Sequence, residues 1–133
     1  MKKKYIIVML ILILIFSCGK KKKRNNDVKS KATIEQKENN RIKELTEKAR
    51  KGDVEAQTQL GEAYLHGIDT KINYKKAMEW SKKAAENKNY RAMRNIGILY
   101  LEGLGVKKDY KKAFASFSSS VDGGDAQGPR YLG

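Results

Sequence analysis

A stretch of this 133-residue chain repeats itself without an insertion. Ala56, Leu60, Gly61, Tyr64, Leu65 and Gly67 return 36 positions later as Ala92, Ile96, Gly97, Tyr100, Leu101 and Gly103. The same offset carries Tyr74-Lys75-Lys76-Ala77 onto Tyr110-Lys111-Lys112-Ala113. A third copy starts at Gly124-Asp125, answering Gly52-Asp53, and runs to Leu132-Gly133, answering Leu60-Gly61. Self-similarity at one fixed period of this size marks stacked supersecondary units, none of which can bury its apolar face alone.

Within each unit the spacing is helical. Ala56, Leu60, Ala63, Tyr64 and Gly67 fall on one face of an α-helix. After a break, Tyr74, Ala77, Met78, Ser81, Ala84 and Ala85 mark a second helical face. Gly67 and Gly103 suit helix C-termini, where a left-handed backbone costs Gly little. Asn73 and Asp109 are well typed as N-caps for the helices that follow. Gly61 and Gly97 recur inside a helix, where Gly costs roughly 1 kcal/mol against Ala. Their return predicts a close helix–helix approach. The packing set is therefore Ala56, Leu60, Gly61, Tyr64, Ala77 and Trp80, then Ala92, Ile96, Gly97, Tyr100 and Ala113. The expected fold is all-α: a short α-solenoid of helix-turn-helix repeats with a period of 36.

These residues resemble the Sel-one-like repeat, a relative of the tetratricopeptide repeat. The resemblance rests on Ala92-x3-Ile96-Gly97-x2-Tyr100-x2-Gly103-Leu104-Gly105-Val106-Lys107-Lys108-Asp109-Tyr110-x-Lys112-Ala113. The first unit matches through Trp80 and Lys83-Ala84-Ala85. It departs at Asp69-Thr70, which replace Gly-Val. The second departs at Ser116, which stands where Trp80 stood, and at Ser120-Val121, which replace the Ala pair. Loss of the Trp-position side chain predicts weaker packing there, by about 3 kcal/mol. The resemblance implies a non-catalytic protein-interaction role. Some disulfide-rich relatives of the family are linked to β-lactam hydrolysis, but they depend on Cys pairs that this chain, with one Cys, lacks.

Ahead of the repeats stands a targeting segment. Lys2, Lys3 and Lys4 precede an apolar run, Tyr5 to Phe16, too short for the ~20 residues that span a bilayer. Ile15-Phe16-Ser17-Cys18-Gly19 resembles a bacterial lipoprotein box, with Phe16 bulkier than usual. The resemblance implies cleavage after Ser17 and lipidation of Cys18, with a palmitate-class acyl anchor. The other reading is an uncleaved anchor, or a cut elsewhere with Cys18 incidental. Gly19 is not the Asp that retains lipoproteins at the inner membrane in enteric bacteria, which favours an outer membrane where one exists. A single Cys excludes an internal disulfide. Residues 19–31 carry seven basic residues and Asp27, a net +6. They are expected to form a disordered stalk, lying against anionic headgroups or simply solvated.

The expected map is a signal peptide over 1–17, lipidated Cys and basic stalk over 18–31, and a capping half-repeat helix over 32–52. Repeats over 53–88 and 89–124 follow, then a partial third over 125–133. In the capping helix Thr33 and Gln36 are spaced for a capping box. Ile42, Leu45 and Ala49 are the 36-shift of Met78, Ser81 and Ala85. Ser-rich residues 116–120, Gly123-Gly124 and Pro129 predict a frayed C-terminus.

Of the formal net charge of +14, Lys2–Lys4 and the stalk hold nine, leaving the repeats mildly basic. An exported chain of this kind is not expected to bind nucleic acid. One His and one Cys make neither a metal site nor a thiol–imidazole pair. Ser118–Ser120 have no partner base, and His66 reads as a surface residue. No catalytic residue, metal, cofactor or small-molecule substrate is expected. The candidate partner surface is a stripe opposite the packing face: Glu55, Gln59, Glu62 and His66, continued by Arg91, Asn95, Ile98 and Glu102, with Ile98 its one apolar exposure. Ordinary helix solvation is the alternative for any one of these residues. The chain therefore reads as a membrane-tethered interaction module of a bacterial envelope with an unnamed protein partner. The alternative is a structural envelope element that binds anionic lipid or glycan by charge.

Overall fold

A computed structural model describes Lys3, residues 29–37 and residues 39–133. The chain divides into two units, Met1–Lys37 and Glu38–Gly133. In the first, residues 29–37 are helical and exposed. Thr33 Oγ1 donates to the Lys29 carbonyl at 2.7 Å, one turn back. Thr33 is thus inside a helix and is not the expected N-cap. The last three residues of the expected stalk are helical too, because Lys and Ser are acceptable helix formers once a turn exists. Apart from Lys3, the expected signal peptide, Cys18 and the rest of the expected stalk lie outside the described residues.

In the second unit every regular element among the described residues is helical. Helix α1 covers residues 39–50. Then follow α2 (Val54–His66), α3 (Tyr74–Glu86), α4 (Tyr90–Glu102), α5 (Tyr110–Asp122) and the short α6 (Pro129–Leu132). Helices α2 to α5 each have 13 residues. The four starts are set by four side-chain caps. Asp53 accepts from the Ala56 N–H, Asn73 from Lys76, Asn89 from Ala92 and Asp109 from Lys112, at 2.9–3.0 Å. Gly67 and Gly103 end α2 and α4 in the left-handed region, at φ 71° and 66°. Asn73 and Asp109 donate their N–H groups to the Tyr64 and Tyr100 carbonyls, so both turns close alike.

Neighbours in the chain are neighbours in space: α2 packs on α3, α3 on α4 and α4 on α5, with α2 also meeting α4. One apolar core runs through Ala49, Ala56, Leu60, Tyr64, Ala77, Met78, Trp80 and Leu99, with Ile42 and Leu45 of α1 packed against it. Gln57 Nε2 donates to the Ala49 carbonyl at 3.0 Å, tying the end of α1 to α2. The half-repeat helix thus covers the open end of the stack, as solenoids require. The expected packing residues are buried, except Ile96 and Tyr100, which are half-buried.

Both interior glycines mark close approaches. A Cβ on Gly61 would lie 2.5 Å from Ser81 Oγ and 3.4 Å from the Ser81 backbone N. A Cβ on Gly97 would lie 2.6 Å from the Phe117 ring. Phe117 corrects the expectation of a weakened second unit. It is the 36-shift of Ser81, as Ser116 is of Trp80. The aromatic has moved by one position and is 1% exposed. Its other face stacks on Tyr131, with ring centroids 4.6 Å apart and 7° between planes. The C-terminal segment is therefore docked where fraying was expected, and Pro129 stands at the first position of α6, where a missing N–H costs nothing.

Candidate functional site

Half of the expected stripe forms a ladder of ion pairs between successive repeats. Arg91 on α4 grips Glu62 on α2 with both arms of its guanidinium, Nε to Oε1 at 3.1 Å and Nη2 to Oε2 at 2.6 Å. Its Nη1 donates to Glu55 at 3.0 Å, and Gln59 Nε2 donates to the same carboxylate at 3.0 Å. The bidentate geometry is one that Lys cannot reproduce. Hydrogen bonding to Glu62 raises the Arg91 pKa above its ordinary value, over the opposing effect of burial.

One turn on, Arg94 donates from Nη1 to both oxygens of Asp125, at 2.9 and 3.0 Å, and stands 4.0 Å from Glu62. Asp125 also accepts from Ser120 Oγ at 2.8 Å and from the Gln127 N–H at 3.1 Å. Burial pushes this carboxyl up. Ser120, the Gln127 N–H and Arg94 outweigh it and hold the group below its ordinary 3.8. Ser120–Asp125 is thus a clasp that ties the end of α5 to the segment after it.

Four of the eight stripe residues, Glu55, Gln59, Glu62 and Arg91, come together. His66 and Glu102 are exposed and make no ion pair with any described residue. Asn95 departs from expectation: it is 1% exposed, and its Nδ2 has no hydrogen-bond partner. Ile98 is half-buried, not an apolar exposure. The reason is position: α4 is packed by α2, α3 and α5, which leaves it little free surface. Arg94 and Asp125 were missed. The available signal was charge register, since Arg91 and Arg94 lie three apart on α4, opposite Glu55 and Glu62 seven apart on α2.

Beside the ladder, a groove of about 240 Å³ opens between α1, α2 and the first turn. Ile42, Leu45 and Ala63 give it apolar walls, and Glu62–Arg91 forms one lip. The other lip is Arg41 with Asp69, whose Nη1 and Oδ2 are 2.6 Å apart. Asp69 holds a left-handed backbone at φ 56°, where its 36-shift, Gly105, has φ 66°. Asp tolerates that conformation better than most residues, and it adds the carboxylate that reaches Arg41. The departure from Gly-Val thus builds one wall of the groove. Among the described residues, no three His, Cys, Asp or Glu side chains are grouped to hold a metal. No described helix is long and apolar enough to cross a membrane.

The model of the Sel1 repeat family matches residues 54–89 and 91–125. A Sel1 repeat protein from Oxalobacter formigenes has a similar solved structure, with 32% identity and a TM-score of 0.63. The match covers 68% of this chain and 37% of that one. A second is c5321, a protective antigen present in uropathogenic Escherichia coli strains and displaying an SLR fold, at 29% identity and a TM-score of 0.62. It is matched over 65% of this chain and 19% of its own. This chain therefore spans well under half the length of either. No curated protein matches it.

Proposed function

The chain belongs to the Sel1 repeat family, whose members are typically non-catalytic protein-interaction modules, and from that premise we propose that it is an adaptor which docks a short segment of another protein in the groove beside the ladder. The carrying observation is the groove itself: apolar walls between two charged lips, Arg41–Asp69 and Glu62–Arg91. Apolar walls supply burial, while opposed ion pairs at the rim orient a polar backbone. A groove this small fits one or two side chains of an extended segment, so one copy binds modestly.

The adaptor is tethered to a bacterial membrane through an acylated Cys18. This rests on the Lys2–Lys4 start, the short apolar run and the box around Cys18. Tethering raises the effective concentration of the module against envelope partners without any new contact.

Two experiments test the two halves separately. A photo-crosslinking residue at Gln59, inside the groove, should capture one defined protein in the native cell. The same residue at Lys82, which is exposed on α3, should not. Equal capture from both positions contradicts docking in the groove. Incorporation of labelled palmitate should be lost in Cys18→Ala; retained label contradicts the anchor. Glu62→Arg is a poor probe of docking, because it breaks the ladder as well as the groove.

A further inference from the structure

We propose that the edge of the stack formed by the two intra-repeat turns and the starts of α3 and α5 seats on an anionic phospholipid bilayer. The edge is continuous. A Cβ on Gly105 would lie 2.8 Å from the Tyr74 Cβ and 3.4 Å from the Lys75 backbone N, so the second turn rides on the start of α3. Lys71 and Lys75 project from one repeat, Lys107 and Lys111 from the next. All four are exposed, and none pairs with a described carboxylate. The two carboxylates of the edge are already engaged: Asp69 with Arg41, Asp109 in capping α5 and pairing with Lys112. In the first turn, Ile68 and Ile72 are 48% and 53% exposed.

Helix electrostatics point the same way. Neither α3 nor α5 has an acidic residue in its first turn, and both place two lysines there. Cations at a helix N-terminus face the positive end of the dipole, which is unfavourable by a few tenths of a kcal/mol or more. At α3, whose cap Asn73 is neutral, this is uncompensated; at α5 the Asp109 carboxylate offsets part of it, and a negative surface relieves what remains. Lys76 and Lys112 are instead turned back over the Tyr64 and Tyr100 rings, at 5.0 and 5.3 Å from the centroids. They leave Lys75 and Lys111 as the outward charges.

The residue types select lipid over nucleic acid. The edge's free cations are lysines, compact hydrated charges suited to headgroups, and in the first repeat the exposed Ile68 and Ile72 beside them suit the acyl boundary. Arg91 and Arg94, whose planar forks suit bases and phosphates, are spent on the ladder. Beside α5 a notch of about 420 Å³ is lined by Lys107, Lys108 and Lys112 together with the Asp109 carboxylate, which offsets part of their charge. This seating does not require the acyl anchor, and it shares Ile68 and Asp69 with the first-turn wall of the groove. It would hold the module flat, with each turn edge against the membrane.

Site-resolved lysine acetylation of the full chain tests it, read by mass spectrometry on phosphatidylcholine vesicles with and without phosphatidylglycerol. With phosphatidylglycerol, Lys71, Lys75, Lys107 and Lys111 should react at least roughly tenfold more slowly, given the strength of lysine attraction to anionic surfaces. Lys43 on α1 and Lys82, about two helical turns along α3 from the edge, should be unchanged. In Lys75→Glu with Lys111→Glu, protection of Lys71 and Lys107 should be lost. Both substituted positions are exposed, so the fold survives. Uniform slowing of all lysines, or slowing that persists on pure phosphatidylcholine, overturns the proposal. So does protection by soluble single-stranded RNA with none on vesicles.

Discussion

In the first repeat the large aromatic is Trp80, and the residue facing the interior glycine is Ser81. In the second the order is Ser116 then Phe117, and Phe117 faces Gly97. The backbones nonetheless agree: equal helices, equivalent caps and the same turn closures. The solenoid specifies that an aromatic be buried near that level of the second helix, and leaves its position to the neighbours. In the first repeat Trp80 joins the core that runs from α1 to α4. In the second, Phe117 turns towards Gly97 and carries Tyr131 on its outer face. The transposition fastens the C-terminal segment.

The largest expected break of this comparison is Phe117→Ala. It should cost about 3–5 kcal/mol, as much as Trp80→Ala, because each empties a buried aromatic site. Thermal unfolding of the two variants checks it. A loss under about 1 kcal/mol for Phe117→Ala would mean that the second repeat does not rely on the transposed ring.

Next comes Asp125→Ala, which leaves Arg94, with a side chain 15% exposed, without its carboxylate. A loss of about 3 kcal/mol is expected from such a broken pair. The pH dependence has a definite sign. The Asp125 pKa is depressed in the folded chain, so its stabilisation is fully present above the ordinary 3.8 and is lost as pH falls through the lower folded value. Acid titration followed by the Tyr131 ring resonances in NMR should show this release in the native chain and not in Asp125→Asn.

Smaller differences lie at the glycines. Gly97→Ala should cost about 2 kcal/mol, because the Phe117 ring cannot yield without moving off Tyr131. Gly61→Ala combined with Ser81→Ala should cost no more than about 1 kcal/mol, since the obstructing hydroxyl is gone and Ala favours the helix. Denaturant melts of the two variants separate these cases. The smallest effect is a gain. Lys88 holds φ 60° where the repeat places Gly52 and Gly124, at 93° and 97°. Lys88→Gly should stabilise the fold by about 1 kcal/mol.

The fold was legible because period, caps and glycines all report backbone, and the backbone repeats. The site was only half legible. Glu55, Gln59, Glu62 and Arg91 were found from helical spacing, which says where a side chain starts. It does not say what the side chain reaches, so the stripe reads as free surface although Glu55, Glu62 and Arg91 are bound to one another. Asn95 was misplaced because its 36-shift partner, Gln59, is half-exposed whereas α4 is central. Phe117 is hidden by strict register, because its 36-shift partner is Ser81 while that of Trp80 is Ser116. The pair as a unit conserves one buried aromatic.

Amide hydrogen exchange tests the central claim most directly, because it reads whether the second repeat closes as tightly as the first. The account predicts comparable protection in α3 and α5, and measurable protection at Tyr131. Phe117→Ala should abolish both the α5 and the Tyr131 protection while sparing α2 and α3. An α5 that exchanges freely in the native chain, with no protection at Tyr131, would contradict it.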